Sequence, residues 1–247
     1  MKMDIDSSSE KDIVLDATNL SKKRRKNFLK ELFRKQNKEF HKKAIVISNR
    51  LDSCVSNIKT RKKSGGHDVP IPVVLKFLKA FQPPSMDEGW DSIEVVQQDT
   101  YTLDEILDSM DFHQNNKYHT LTCLEHSLRV QRNLYEQCKQ EQLAIISDFE
   151  LVFLGLLHDC GKVLTKTFHN MKLNFSNSAH YYGHENAGAY IALCIDFSQY
   201  GVEYEDEDVL ELSQLISLHM LESFCNVEDE RIKNILIQLR IADRKGK

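Results

Sequence analysis

Short apolar runs open this chain and long periodic ones close it, and the change of period falls near residue 100. Ile13-Val14-Leu15, Ala44-Ile45-Val46-Ile47 and Ile93-Glu94-Val95-Val96 are brief and rich in β-branched residues, the pattern of buried strands. Ser21 stands as an N-cap ahead of Phe28, Leu29, Leu32 and Phe33, which give a helix of about five turns one apolar face. A second helix is predicted over 51–61, a loop over 62–68, and a third helix from Val69-Pro70-Ile71-Pro72 through Phe81. Strand, helix and strand in this order make a right-handed βαβ crossover.

Beyond residue 100 the period becomes helical. Thr102 with Glu105 three residues on is a capping box for a short helix through Met110, and 111–120 is a polar loop. Leu121, Leu124, Leu128 and Leu134 recur at helical spacing around His126, and Phe149 to Leu157 forms the next long helix. Gly161 is expected to end that helix in the left-handed conformation. Gly183-His184-Glu185 opens a further helix with Ala187, Ala189, Ile191 and Ala192. Val209, Leu210, Leu212, Leu215, Ile216 and Leu221 form another around His219, and Ile232, Ile235, Leu236, Leu239 and Ile241 lead to Asp243. No strand pattern follows residue 97, so an all-α helical bundle is expected over 101–247, after an α/β module over 1–100.

Charge sharpens that division. Residues 1–100 hold 20 Lys/Arg and 14 Asp/Glu, whereas 101–247 hold 13 and 23, so a front half at +6 precedes a back half at −10. The two halves therefore face different partners. Cys54, Cys123, Cys138, Cys160, Cys194 and Cys225 are scattered without a Cys-x-x-Cys, which fits free thiols in a reduced, cytoplasmic setting. No apolar run approaches the roughly 20 residues that span a bilayer.

The chemistry concentrates in Leu156-Leu157-His158-Asp159-Cys160-Gly161-Lys162. Adjacent nitrogen and oxygen ligands at a helix end suit a hard or borderline divalent cation. His126, the His158-Asp159 couple and Asp243 each sit on or at the end of a helix whose apolar face points inward, so packing can direct all four at one point. A cation there turns a bound water into a nucleophile near neutral pH. Lys162 is placed to neutralise a phosphate oxygen, or else pairs with the helix carboxyl end. His119 is placed to donate to substrate or leaving group. The basic run from Lys22 to Lys43 is either a solvated helix face or a contact for nucleic-acid phosphates.

The strings Lys117-Tyr118-His119, Leu124-Glu125-His126-Ser127-Leu128, Leu157-His158-Asp159-Cys160-Gly161-Lys162, His180-Tyr181-Tyr182-Gly183-His184-Glu185 and Ala242-Asp243-Arg244-Lys245-Gly246-Lys247 resemble the HD superfamily of metal-dependent phosphohydrolases, most closely the HD domain of bacterial CCA-adding enzymes. That resemblance implies that His126, His158, Asp159 and Asp243 hold a first divalent ion (Mn, Mg, Ni, Co or Fe). It also implies that His184 and His219 either bind a second, bridged by Asp159, or face the substrate.

In the front half, Val14-Leu15-Asp16-Ala17-Thr18-Asn19-Leu20 with Arg24-Arg25, a basic lid carrying Arg61, Val69-Pro70 and the Pro83-to-Trp90 loop resemble the carboxyl-terminal part of a P-loop kinase of the phage polynucleotide kinase type. By that resemblance Asp16 and Asn19 border a phosphoacceptor site and Arg61 clamps nucleotide phosphates. The Gly-x-x-x-x-Gly-Lys-Ser/Thr loop of that family is missing, so kinase activity is not expected. Either the chain is a fragment or alternative start of a longer protein, or the half-domain serves as a docking or RNA-binding platform.

Kinase-like and phosphohydrolase parts in one chain resemble RNA end-healing enzymes. The expected activity is hydrolysis of a nucleotide or RNA 3′-end phosphoester, a 2′,3′-cyclic or terminal phosphate. The alternatives are a non-catalytic nucleic-acid- or partner-binding protein and a dNTP or cyclic-dinucleotide hydrolase.

Overall fold

The computed structural model describes residues 20–36, 41–140 and 146–246. The strand expected at Ile13–Leu15, with Asp16 and Asn19, lies outside the described residues, as do residues 37–40 of the basic run.

Strands β1 (Lys43–Ser48) and β2 (Ser92–Gln97) pair in parallel, with Lys43 opposite Ser92 and Ser48 opposite Gln97. A parallel pair needs a long crossover, and α2 (Leu51–Lys63) and α3 (Ile71–Ala80) occupy it, Pro72 standing in the first turn of α3. One face of the pair sends Val46, Ile93 and Val95 against the main core, while the other leaves Ile45 and Ile47 each 58% exposed. Helix α1 (Lys22–Gln36) is fastened by a buried bidentate ion pair, Arg25 Nε to Glu88 Oε2 at 2.8 Å and Nη2 to Oε1 at 2.7 Å. Arg25 is thus an internal structural group rather than a surface charge, while Lys22 and Lys26 pair with Asp87 outside.

The back half is built from α4 (Leu103–Ser109), α5 (Cys123–Gln140), α6 (Asp148–Leu157), the single turn α7 (Lys162–Thr165), α8 (His184–Ala192), α9 (Asp206–Leu218) and α10 (Glu230–Lys245). Both arms of the Thr102/Glu105 capping box are made, as its spacing predicts. The two halves meet where β1 and β2 end. Ser48 Oγ donates to Leu193 O at 2.8 Å, and Gln97 Nε2 donates to Leu193 O and Ile195 O at 3.0 Å, so the sheet is tied to the end of α8. All six cysteines are free. Among the described residues no helix is long and apolar enough to cross a membrane.

Three expectations need correction. The region after residue 97 is not purely helical, because β3 (Thr167–His169) and β4 (Phe175–His180) form an antiparallel hairpin. Asn170 Oδ1 accepts from the backbone N–H of Lys172 and Asn174, closing a turn that a helix through this stretch would forbid. In α5 one leucine departs from the expected face: Leu128 is 48% exposed, whereas Leu134 is buried with Cys123, His126, Ser127, Val130, Gln137 and Cys138. Leu128 lies on the side of the helix opposite that stripe, so its apolar side chain meets solvent. Finally, Gly161 has φ −66°, an ordinary right-handed value. Its lack of a side chain serves contact, not conformation.

Candidate metal centre

Two close approaches assemble the centre. Ser147 caps α6 with both arms of a box to Glu150, and the helix then runs buried to His158 and Asp159 at its carboxyl end. A Cβ on Gly155 would lie 2.6 Å from Gln131 Cα, so only glycine lets α5 lie this near to α6, which sets His126 beside His158. A Cβ on Gly161 would lie 2.0 Å from His184 O and 2.4 Å from Gly188 N, so the same freedom brings the start of α8, and with it His184, against Asp159. His219 caps the end of α9, and Asp243 stands in the last turns of α10.

Asp159 is the hub. Its Oδ2 lies 3.4 Å from His158 Nε2 and 3.5 Å from His126 Nε2, and its Oδ1 lies 3.3 Å from His184 Nε2 and 4.0 Å from His219 Nε2. Asp243 Oδ1 approaches His126 Nε2 at 3.1 Å. The ligand atoms fall into two groups, His126 with His158 and Asp243, and Asp159 with His184 and His219, each within 4.8 Å.

The outer nitrogen of each imidazole fixes what the inner one can do. Nδ1 of His158, His184 and His219 sits 2.8, 2.8 and 2.6 Å from the carbonyls of Gly155, Tyr181 and Ile216, each three residues earlier. His126 Nδ1 lies 3.3 Å from Gly246 O. A carbonyl only accepts, so Nδ1 carries the hydrogen, and in a neutral ring Nε2 is left as a bare lone pair. All four Nε2 atoms are buried without a hydrogen-bond partner. Lone pairs therefore face carboxylate oxygens, an arrangement stable only with positive charge between them. Donors bonded to one cation at about 2.1 Å lie roughly 3–4 Å from each other, and the approaches here run from 3.1 to 4.0 Å. Four imidazoles and two carboxylates suit Mn, Fe, Co, Ni or Zn better than the all-oxygen shell that Mg prefers.

The charges are arranged to keep the ligands ready. Burial disfavours the Asp159 carboxylate, yet the Lys162 ammonium, 2.6 Å from Oδ2, and then His158 hold it well below the usual carboxylate range. Burial likewise opposes ionisation of Asp243, but the adjacent His126 and His158 bring it down to about 2. Burial, reinforced by His184 and His158, pushes His219 down to about 3. Burial lowers the His158 imidazole too, but the charge and hydrogen bond of Asp159, with the charge of Asp243 and the Gly155 carbonyl, together outweigh it and raise His158.

All six metal candidates named from the sequence are thus brought together, with Lys162 beside them and the His119 ring 4.9 Å from that of His126. Arg61 stays apart: it is exposed on α2, where its Nε donates to His67 O. Sequence reasoning missed Gln114, which is buried and whose Oε1 accepts from Lys162 Nζ at 2.8 Å. It also missed Tyr181, whose hydroxyl donates to Gln114 O at 2.6 Å. Neither bears a ligand pattern, and only their tertiary placement makes them part of the centre.

Residues 123–244 match the HD domain family, a span that includes all six candidate ligands. No curated protein and no solved structure matches the chain.

Proposed function

From the HD domain that residues 123–244 form, and hence a metal-dependent phosphohydrolase in general terms, we propose that this chain hydrolyses a nucleotide or RNA-end phosphoester, a 2′,3′-cyclic or terminal phosphate, at a two-metal site. The observation that carries the proposal is the division of Asp159, one oxygen toward His126 and His158 and the other toward His184 and His219. Asp159 so divided would serve both groups of ligands, His126 with His158 on one side and His184 with His219 on the other.

Bound divalent ions supply Lewis acidity and an activated water for in-line displacement at phosphorus. Asp159 and Asp243 would supply the negative charge to hold such ions, with His126, His158, His184 and His219 as the nitrogen ligands. Lys162 keeps Asp159 ionised through its Nζ and presents the same ammonium to a phosphoryl oxygen. Gln114 fixes that ammonium from the other side. His119, packed edge-on to His126, is placed to hand a proton to the leaving oxygen.

In this reading the front half is a kinase-like module serving as a platform. The exposed cations of α1, such as Lys23, Arg24 and Lys30, contact nucleic-acid phosphates. Support for an RNA substrate comes from that basic face next to a phosphohydrolase.

The test is hydrolysis of an aryl phosphodiester and of 2′,3′-cyclic nucleotides by Mn-loaded protein, with dNTPs and cyclic dinucleotides in the same panel. Turnover of the cyclic nucleotides that Asp159→Ala abolishes supports the proposal. Metal-independent oligonucleotide binding with no turnover of any substrate overturns it in favour of a binding protein.

A further inference from the structure

The back half is acidic overall, yet residues 112–124 and 160–184 contain no aspartate or glutamate. These two stretches lie together. Lys166 Nζ, from the turn before β3, donates to His113 O at 2.6 Å and to Asn115 Oδ1 at 2.7 Å, and Ala179 of β4 donates its N–H to Asn115 O at 2.8 Å. Their inner edge is the metal centre, because Tyr181 and Lys162 both grip Gln114 between them. Gln114 Nε2 is buried there without an acceptor, although its side chain is otherwise fixed.

The outer edge is unusual for a soluble surface. Phe175 is 72% exposed, Tyr118 65%, and Met171 and Leu173 at the hairpin turn 81% each. Cations are interleaved with the rings: Lys117 Nζ lies 5.0 Å from the Tyr118 ring centre, and Lys166 Nζ lies 6.0 Å from that of Phe168, itself 36% exposed. Lys172 projects from the same turn. Exposed apolar area of this kind marks an interaction site.

We propose that the 112–122 loop and the β3–β4 hairpin form one surface that binds a single-stranded nucleic-acid end and leads its terminal phosphoester to Asp159. The inference rests on the phosphohydrolase reading and specifies its substrate class. Charge chooses the partner: a carboxylate-free, lysine-bearing strip within a −10 domain attracts a polyanion. Exposed rings beside those lysines offer stacking to unpaired bases, which a duplex keeps inside. Gln114 Nε2 and Lys162 Nζ then await phosphoryl oxygens at the inner end.

The test is fluorescence anisotropy of a labelled oligouridylate on the full chain in EDTA, at low and moderate salt, beside hydrolysis of an aryl phosphodiester by the Mn-loaded protein. Phe175→Ala and Lys172→Glu, both at exposed positions, are each expected to weaken oligouridylate binding about tenfold. Lys172→Glu also reduces the salt slope by about 0.7. The loss on the oligonucleotide is expected to exceed any loss on the aryl phosphodiester. Unchanged oligouridylate affinity in both variants overturns the proposal. If the parent hydrolyses nothing but its oligouridylate binding still falls in both variants, the hydrolytic reading fails and this surface stands.

Discussion

Lys162 and Asp159 form a buried ion pair, Nζ to Oδ2 at 2.6 Å, in which the lysine is also held by Gln114. The pair gives Asp159 a counter-charge of its own before any cation arrives. Removing one member of a buried pair costs about 3–5 kcal/mol, because the other is stranded. Lys162→Met should therefore lower the stability of chelated protein by about that much, and less once Mn is bound. It should also cut turnover about 10²-fold, as loss of one phosphoryl-stabilising donor does. Thermal denaturation with and without Mn, beside steady-state kinetics, checks both. Equal destabilisation in the two states would remove the link between Lys162 and the metal.

Gly161 sets the distance between α7 and α8. Gly161→Ala puts a methyl group onto His184 O and Gly188 N, so α8 must retreat and take His184 with it. Forced overpacking of this kind costs about 1–3 kcal/mol. The expected signature is loss of one metal ion per chain, read by elemental analysis, while the His126, His158 and Asp243 group keeps its own. Two ions retained in Gly161→Ala would show that the approach is not what positions His184.

Arg25 tests the front half separately. Arg25→Ala strands Glu88 in the interior and should cost about 3–5 kcal/mol in chemical denaturation. Metal content should not change, since α1 contributes no ligand. A surface-like loss under about 1 kcal/mol would contradict the buried pair.

In chelated protein His158 and His219 give opposite pH dependences. The folded pKa of His158 is raised, so its contribution is complete below 6.5 and lost as pH rises through the folded value. The folded pKa of His219 is depressed to about 3, so its contribution is complete above 6.5 and lost as pH falls toward 3. Stability should peak near pH 6.5 and decline on both sides, and Mn should raise the alkaline flank most, since the cation takes the place of the proton. A thermal midpoint that climbs steadily with pH in EDTA contradicts the assignment.

Much of this was legible in advance. The strands at Ala44–Ile47 and Ile93–Val96 declared themselves by composition, and the helix after Thr102 by its capping box. His126, His158, Asp159 and Asp243 could be gathered because each stands on a helix with one way to face inward. His184 and His219 came only through resemblance, since nothing in their periodicity distinguishes them from packed core histidines. The β3–β4 hairpin was missed because the positions that β4 turns inward, Ser176 and Ser178, are polar while its apolar Phe175 is exposed. Leu128 misled because it lies opposite the buried stripe of Cys123, His126, Val130 and Leu134 on α5, where an apolar side chain carries no information about the core. Gln114 joins the centre through Lys162 and Tyr181, contacts between segments far apart in the chain.

The shared carboxylate of Asp159 is tested most directly by electron paramagnetic resonance during titration with Mn. The account predicts an exchange-coupled signal that is complete at two Mn per chain and absent in Asp159→Ala. A signal from isolated Mn at every loading, or one that persists unchanged in Asp159→Ala, would contradict it.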